Sequence, residues 1–310
     1  MTAERMTAER TTAEETTSGP VAPGSPTTLR AAIRAATDEL ASAGVPSPQP
    51  DAVELACHLL GTRRGDLWRH LEEPAPSGYA ELVHQRAQRI PLQHLTGVAF
   101  FRHLTLQVGP GVFVPRPETE VLVDLALERL RPVTRPGERP VVVDLCSGSG
   151  AIAAAIAQEA PGCEVHAVEV DADALTWLRR NVDAADVTVH QADLRLVDDV
   201  LPGRVGVADV VTANPPYIPT GSVPRDPEVR EHDPRIALYS GPDGLDHIRL
   251  VEQVAARLLR PGGWVVVEHA DVQGSSAPQV FADSGRWHEV ADHDDLAGRP
   301  RVVTARRTGG

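Results

Sequence analysis

The 310-residue sequence lacks the features that mark membrane and secreted proteins. It contains no apolar run near the ~20 residues that a membrane-spanning helix requires. Its first twenty residues have no apolar segment of the kind that defines a secretory signal. These absences predict a cytoplasmic protein that makes no contact with a membrane.

Cysteine and positive charge are also scarce. Three cysteines, Cys57, Cys146 and Cys163, lie far apart and without CxxC spacing, which predicts neither a disulfide framework nor a zinc site. Lys and Arg number 30 against 43 Asp and Glu, for a net charge of −13. This balance argues against a nucleic-acid substrate and suits a basic protein partner.

The N-terminal part of the chain divides into two segments of different composition. Residues 1–28 have almost no large apolar side chain, which predicts a disordered tail. The pentapeptide MTAER begins at Met1 and again at Met6, so either methionine could be the start. Across residues 29–95, apolar residues recur at three- and four-residue steps, which predicts a small helical domain whose later helices open near a capping Asp or Ser.

The remainder of the chain changes from helical to alternating patterns. Residues 96–111 alternate and contain glycines, which predicts a β-hairpin that links two domains. Residues 112–310 then repeat strand, turn and helix, which predicts an α/β domain with a parallel sheet covered on both faces. Ligands of such sheets bind beyond the C-terminal ends of the strands.

A glycine turn follows the first strand of this domain, in the segment Asp144–Gly150 with the sequence DLCSGSG. Glycines allow a ligand to approach the backbone, and the following helix offers free N–H groups. Glu169 ends the next strand 19 residues after Gly150, close to the spacing of an acid that binds a ribose diol. Ala153 satisfies the looser GxGxxA pattern, so this spacing alone does not exclude NAD.

Two further strand ends carry candidate ligand-binding residues. Asp193 can accept a hydrogen bond from an adenine amino group, while the apolar Leu194 covers the ring. The sequence Asn-Pro-Pro-Tyr at Asn214–Tyr217 follows the fourth strand. Its prolines remove two donors and fix the chain, so that the carbonyls and the Asn214 side chain form a group of acceptors suited to a planar NH2. Tyr217 can stack on the planar group that carries this NH2.

One cluster of acidic and histidine residues near the C-terminus has the composition of a metal site. We interpret it as a solvated acidic loop, because nothing in its spacing directs the side chains to one point. The cluster consists of His288, Asp292, His293, Asp294 and Asp295.

With these motifs in view, the chain resembles the class I methyltransferases, and within them the HemK-type release factor glutamine N5-methyltransferases. The resemblance covers about residues 29–306. It rests on the order and spacing of PLQHLTG, VFVPRPETEVLV, DLCSGSGAIA, ANPPYIP, HDPRIALYSGPDG, EHA and DDLAGRPRVV. It implies a Rossmann-like methyltransferase domain that uses S-adenosyl-L-methionine to methylate the glutamine of the GGQ motif in class I peptide chain release factors, with the helical domain docking this substrate.

The resemblance also implies roles for individual residues. The glycine turn would hold the methionine part of the cofactor, Glu169 its ribose, and Asp193 with Leu194 its adenine. Asn214 would contact both cofactor and substrate. The cofactor-binding residues implied are Asp144, Cys146, Ser147, Gly148, Ser149, Gly150, Glu169, Asp193, Leu194 and Asn214. The implied catalytic residues, which also bind substrate, are Asn214, Pro215, Pro216 and Tyr217, with Phe101, Arg116, Pro117 and Glu118 as further substrate-binding residues.

Cys146 departs from the family pattern, because a glycine usually occupies this position. A cysteine there is tolerated if the residue has an ordinary negative φ, so we expect negative φ and intact cofactor binding.

Other functions fit parts of the sequence. The nearest alternatives are methylation of a ribosomal-protein glutamine and amino-methylation of a nucleic-acid base, since NPPY is shared with base-methylating enzymes. The latter would require a basic or target-reading region that the sequence does not show. A dehydrogenase is disfavoured by NPPY, and a cofactor-binding protein without catalysis is suggested only by Cys146.

Overall fold

The computed structural model describes residues 27–131 and 139–309. Most of the predicted tail 1–28 therefore lies outside the described residues. Its last two residues, Thr27 and Thr28, are described, and the Thr28 side chain accepts a hydrogen bond from the Ala31 N–H at the start of the first helix. Within the described ranges, no helix combines the length and apolar character needed to cross a bilayer.

Residues 29–96 form helices, as the apolar spacing predicts. Their apolar faces meet in one core that includes Leu40, Leu55 and Val83. The helix starts differ from the prediction: Ser47 and Gly78 occupy the N-cap positions, while Asp51 lies within the first turn of its helix, which begins earlier because proline is accepted at a first helical position. The elements are α1 Leu29–Ser42, α2 Pro48–Leu60, a 3-10 helix Arg64–His70, α3 Tyr79–Ala87 and α4 Leu92–Thr96.

The predicted hairpin is present. Strands β1 (Val98–Phe101) and β2 (Leu104–Gln107) pair antiparallel, with Val98 opposite Gln107. Side chains alternate between the two faces of a strand. Phe101 is accordingly buried, whereas its neighbour Phe100 is 72% exposed.

The rest of the described chain forms an α/β domain with seven strands in one sheet. Its first elements are a 3-10 helix Pro117–Thr119, α5 Glu120–Leu130, β3 Val141–Leu145, α6 Ala151–Glu159, β4 Glu164–Glu169, α7 Ala172–Val182, β5 Val187–Gln191, α8 Val197–Val200 and β6 Ala208–Ala213. They are followed by α9 Pro227–His232, α10 Asp246–Leu258, β7 Leu259–Glu268, α11 Ser276–Asp283, β8 Trp287–Asp294 and β9 Pro300–Arg307.

The strand order is β5-β4-β3-β6-β7-β9-β8. The first five strands are parallel, as predicted, but β9 pairs antiparallel with β7, and β8 pairs antiparallel with β9. The sheet is therefore mixed. The interpretation of residues 288–295 as a loop is wrong, because His288, Asp292, His293 and Asp294 lie on the edge strand β8.

Apolar cores cover both faces of the sheet. Val142 and Val143 are consecutive on β3 and belong to different cores, because successive side chains point to opposite faces. One core contains residues of α5, α6 and α7, and the other contains residues of α10 and α11. The C-terminal ends of the parallel strands remain open at one edge, where the candidate site lies.

Candidate functional site

A cavity of about 1110 Å³ lies at the C-terminal ends of the parallel strands. It brings together the glycine turn after β3, the acid at the end of β4, the Asp-Leu pair after β5 and the NPPY segment after β6. The predicted site residues that line it are Arg116, Glu118, Cys146, Ser147, Gly148, Ser149, Glu169, Asp193, Leu194, Asn214, Pro216 and Tyr217.

Phe101 is not among the residues that line this cavity. Its side chain is 1% exposed and packs in the core shared with Leu106 and Leu122. The placement of Phe101 in the pocket wall is therefore wrong, because its position on β1 directs it inward. Of the aromatic residues near the N-terminal side of the site, Phe113 lines the cavity instead, with the Arg116 guanidinium 5.1 Å from the centre of its ring.

Four other predicted residues lie near the cavity without lining it. Pro117 is exposed at the first position of its 3-10 helix, and Pro215 is buried. Asp144 is fully buried, and its Oδ1 accepts a hydrogen bond of 2.7 Å from Thr212 Oγ1. Gly150 supports the packing of α6, because a Cβ there would lie 2.5 Å from Leu178 Cδ1. Asp144 and Gly150 thus support the wall from behind.

Cys146 adopts φ of 56°, so the expectation of a negative φ is wrong. The residue therefore occupies the left-handed region that the family's usual glycine accepts without strain. Burial is the main cause that raises the pKa of the Cys146 thiol, and the nearby carboxylates of Glu169 and Asp144 raise it further. The thiol is thus neutral, and Cys146 serves as a small wall residue with no nucleophilic character.

Glu169 is held by backbone N–H groups from both sides of the cavity floor. Its Oε2 accepts from Gly148 N at 2.7 Å, and its Oε1 accepts from Val170 N and Asp171 N, both at 2.9 Å. Burial raises the pKa of Glu169, while these hydrogen bonds act to lower it. Three bonds use most of the about four lone-pair sites of a carboxylate, which leaves acceptor capacity for a ligand hydroxyl.

Asp193 is the N-cap residue of a short 3-10 helix, Leu194–Leu196, that follows β5. Its Oδ1 accepts from Arg195 N, and its Oδ2 accepts from Arg195 Nη1, each at 2.8 Å. Leu194 is buried in the core below and also lines the cavity. A carboxylate beside an apolar side chain at the cavity wall matches the polarity of an adenine edge and face.

The NPPY segment is held rigidly on both sides. Asn214 Nδ2 donates to Thr119 Oγ1 at 3.3 Å, and the Tyr217 hydroxyl donates to Glu268 Oε1 at 3.4 Å. Gln273 Nε2 donates to the Tyr217 carbonyl at 3.2 Å. The backbone at Tyr217 is also approached by Gly244, where a Cβ would lie within 3 Å of the Tyr217 carbonyl oxygen. Both ends of the segment are thus fixed by other parts of the fold.

Glu268, at the end of β7, lines the cavity, and its role is absent from the sequence prediction. It is 1% exposed. Burial raises the pKa of Glu268 to about 7, against the lowering effect of Thr119, Arg301 and Tyr217. A carboxyl group with this pKa at a cavity is a mark of a functional site. Its signal in the sequence is the EHA motif at a parallel strand end.

The cavity fits S-adenosyl-L-methionine. Carboxylates of Glu169 and Asp193 can accept from hydroxyl and amino groups, and the apolar side chains of Ile152, Val170 and Leu194 offer contact surface. A Cβ at Gly148 would meet no atom within 4 Å, so its backbone faces open space that a ligand can fill. No group of His, Cys, Asp and Glu in residues 27–131 and 139–309 is arranged to hold a metal ion.

Two family models match this chain. The PrmC N-terminal domain matches residues 31–97, and the Methyltransferase small domain matches residues 104–225. The first match covers the helical domain and ends just before the β-hairpin. The second includes the glycine turn, Glu169, Asp193 and NPPY.

Curated relatives match almost the whole chain. A release factor glutamine methyltransferase of Streptomyces coelicolor is 52% identical over 90% of this chain and 98% of the relative. One from Mycolicibacterium smegmatis is 48% identical over 91% of this chain and 98% of the relative. A 4-amino-L-phenylalanine/4-methylamino-L-phenylalanine methyltransferase of Streptomyces pristinaespiralis is 40% identical over 85% of this chain and 90% of the relative.

Proposed function

The chain belongs to the family of release factor glutamine methyltransferases, and we propose on that premise that it methylates the N5 side-chain amide nitrogen of the GGQ glutamine in class I peptide chain release factors. The methyl donor is S-adenosyl-L-methionine. The observation that carries this proposal is that Asn214, Pro216 and Tyr217 line the same cavity as the glycine turn and Glu169. We place the reaction in the cytoplasm, where release factors act.

An amide nitrogen is a poor nucleophile, because its lone pair is delocalised into the carbonyl. The cofactor supplies an electrophilic methyl group when bound. The residues of this chain therefore contribute mainly by positioning, which brings the nitrogen in line with the methyl carbon. Asn214 Oδ1 accepts a hydrogen of the substrate NH2, and Tyr217, which also lines the cavity, packs on its planar group.

Asn214 Oδ1 also stabilises the positive charge that develops on nitrogen during transfer. Transfer of the methyl group from the sulfonium sulfur would leave the nitrogen cationic and acidic, and it would lose one proton to water. Glu169 and Asp193 would hold the ribose and adenine ends of the cofactor, and the glycine turn would hold its methionine part. Arg116 and Glu118 line the substrate side of the cavity.

The direct test is mass spectrometry of a purified release factor after incubation with this protein and S-adenosyl-L-methionine. A gain in mass of one CH2 group, localised to the GGQ glutamine, is the expected result. A release factor with that glutamine replaced by alanine is the control. No gain on the factor, with intact cofactor binding, would reject the proposed substrate.

If the release factor gains no mass, three other substrates that carry an amino group should be assayed next. These are a ribosomal-protein glutamine, a nucleic-acid base, and a small arylamine of the kind named for the Streptomyces pristinaespiralis relative. Each presents a planar NH2 that NPPY could hold, so the cavity chemistry alone does not rank them. Assay of all three with the same preparation separates a wrong substrate from an inactive protein.

Asn214→Ala tests the role of the side-chain acceptor. Loss of Oδ1 removes one of the two groups that orient the nitrogen, so we expect methyl transfer to fall by more than about 100-fold. Cofactor affinity should change only a few-fold when measured by calorimetry, because Glu169, Asp193 and the glycine turn remain. A parallel loss of cofactor binding would assign Asn214 to the cofactor instead.

A further inference from the structure

A chain of polar contacts behind the NPPY segment connects its two ends. Asn214 Nδ2 donates to Thr119 Oγ1 at 3.3 Å. Thr119 and Glu268 line the same cavity, and the Thr119 hydroxyl lowers the pKa of the Glu268 carboxyl. Glu268 Oε1 accepts from the Tyr217 hydroxyl at 3.4 Å, and its buried Oε2 has no hydrogen-bond partner among the described residues. Thr119 is 4% exposed and Glu268 is 1% exposed, so protein groups decide the direction of these bonds. Long contacts of this kind are common in a catalytic site without substrate.

The direction of the bonds determines which end of the Asn214 carboxamide faces the cavity. The two ends of a carboxamide have nearly the same shape, so hydrogen-bond partners decide its orientation. An ionised Glu268 can only accept, so its partnerless Oε2 is the acceptor for the single hydroxyl proton of Thr119. The Thr119 oxygen is then left to accept from Asn214 Nδ2, and Asn214 Oδ1 is left to face outward as an acceptor.

We propose that Glu268 is a positioning residue that fixes the Asn214 carboxamide through Thr119, so that Oδ1 faces the substrate NH2. The proposal depends on the proposed function only in one respect, namely that the donor bound by Oδ1 is the amide NH2 of a glutamine substrate. The orientation itself follows from the contacts among Glu268, Thr119 and Asn214. Tyr217 donates to the same carboxyl, so one residue would set both ends of NPPY.

Protonation of Glu268 reverses this polarity. A protonated carboxyl group donates, so Thr119 can accept from it and donate its own proton to Asn214, which then turns its NH2 toward the cavity. The charged groups that act on Glu268 are Arg301 of β9 and Glu118 of the 3-10 helix after β2, together with the Tyr217 hydroxyl. Because burial dominates and places the pKa of Glu268 at about 7, the switch falls near neutrality.

The sequence permits a direct measurement of this orientation, because Asn181 and Asn214 are its two asparagines. Labelling the protein with side-chain ¹⁵N-asparagine thus gives two NH2 signals in an NMR spectrum. Asn181 is an internal control, since its Nδ2 donates to the carbonyls of Gln107 and Ser149, at 2.9 Å each. We expect the Asn214 signal to shift with a midpoint near pH 7, and the Asn181 signal to stay constant.

Two variants connect the shift to its cause. Glu268→Gln removes the titrating group, so the Asn214 signal should no longer change near neutrality. Thr119→Val keeps Glu268 and removes the hydroxyl, and should also abolish the titration, while Thr119→Ser should restore it. An Asn214 signal that is constant in the wild-type protein, or that titrates unchanged in Glu268→Gln, overturns the proposal.

Activity provides the second readout. Glu268→Gln should lower kcat on a release factor by more than about tenfold at pH 8 with little change in cofactor affinity, and its rate should lose the wild-type decline below neutrality. Glu252→Gln is the matched control, because Glu252 is equally buried but pairs with Arg286 and Trp287 away from the cavity. If the wild-type protein shows the NMR titration but does not methylate the release factor, the proposed function is wrong while the role of Glu268 stands.

Discussion

Cys146 is a residue whose backbone conformation conflicts with its side chain. A non-glycine residue in the left-handed region costs about 1–2 kcal/mol relative to its ordinary conformation. Such strain persists where the surrounding structure determines the backbone, and it concentrates at ligand sites. At position 146, the turn between β3 and α6 determines φ, with Ser147 N bonded to Val168 O and Ser147 Oγ to Asp144 O.

Cys146→Gly should therefore stabilise the protein. We expect the free energy of unfolding, from urea denaturation, to rise by about 1 kcal/mol, because relief of the strain exceeds the entropy cost of a glycine. Cofactor affinity should stay within a few-fold. Cys163→Ala is a control at a buried cysteine with no positive φ, and it should lose stability through its cavity. A destabilised Cys146→Gly would show that the thiol packing outweighs the strain.

Asp144 gives the stability a dependence on pH. Burial first, and then Glu169, raise the pKa of Asp144 to about 7 from 3.8. A raised pKa means that the folded state binds the Asp144 proton more tightly than the unfolded state does. The resulting stabilisation of the folded state is therefore complete at pH values below the pKa of Asp144 in the unfolded chain. It is lost as the pH rises through the folded pKa.

Asp144→Asn should remove this loss, because an amide does not ionise in this range. The free energy of unfolding of the wild-type protein, relative to the variant, should fall by about 2.5 kcal/mol between about pH 5 and pH 8. Glu268 shifts in the same direction but is present in both proteins, so its effect cancels in the difference. Urea denaturation without cofactor at the two pH values provides the measurement. A difference that is constant with pH would contradict the assignment.

At the scale of elements, the sequence predicts the parts of the fold whose hydrophobic pattern is strong. The strands β3, β4, β6 and β7 read as largely apolar and buried, because helices cover both faces of the sheet there, whereas β5 at the sheet edge is only partly buried. The edge strand β8 escapes prediction for the opposite reason. Its polar residues His288, Asp292 and Asp294 stand among few apolar ones, as is common for edges that avoid pairing with another chain.

The glycine turn shows that neighbouring glycines serve different elements. Gly150, with φ of 82°, lies against α7, where a Cβ would be 2.5 Å from Leu178 Cδ1 and 3.3 Å from Val182 Cγ1. Gly148, with φ of 54°, faces the cavity with no atom near its missing Cβ. The sequence pattern predicts that both glycines bind the cofactor. In the structure, Gly150 instead allows α6 to pack against α7, and only Gly148 faces the cavity.

Gly150→Ala and Gly148→Ala form a matched pair. Both should suffer the cost of left-handed φ, but Gly150→Ala adds a clash, so it should lower the free energy of unfolding by about 2–4 kcal/mol against about 1–2 for Gly148→Ala. Relative to its loss of stability, Gly148→Ala should lose more cofactor affinity than Gly150→Ala does. Urea denaturation and calorimetry measure the two effects. Equal stability losses in the two variants would contradict the distinction.

At the scale of the whole molecule, an ionic cluster joins the helical domain to the segment that follows NPPY. Glu228 of α9 accepts from Arg86 Nη1 at 2.8 Å and from Arg89 Nε at 2.7 Å, and Arg86 Nε donates to Asp51 Oδ2 at 2.8 Å. Although burial acts to raise it, bonds from Arg89 and Arg86 hold the pKa of Glu228 well below its usual range. No local pattern predicts contacts between residues 142 positions apart, since they arise only when both domains are folded.

The cluster connects the predicted substrate-docking domain with the wall of the cavity. Val223, Arg225 and Val229 flank Glu228 and line the cavity. Asp233, just after α9, pairs with Arg116 at 3.1 Å on the other side. A change in how the helical domain sits would therefore move the wall that faces the substrate, while the glycine turn and Glu169 are held independently.

Glu228→Gln should consequently affect the protein substrate more than the cofactor. Removing one charge leaves Arg89 with only the longer pairing to Asp226, at 3.5 Å, and Arg86 with Asp51 alone. Because both guanidinium groups are largely buried, the free energy of unfolding should fall by about 3 kcal/mol. The KM for an intact release factor should rise several-fold, with cofactor affinity unchanged by calorimetry. Glu231→Gln is the control in the same helix, because Glu231 is exposed and pairs with the exposed Arg230. If Glu228→Gln matched Glu231→Gln in stability and KM, the cluster would have no part in holding the cavity wall.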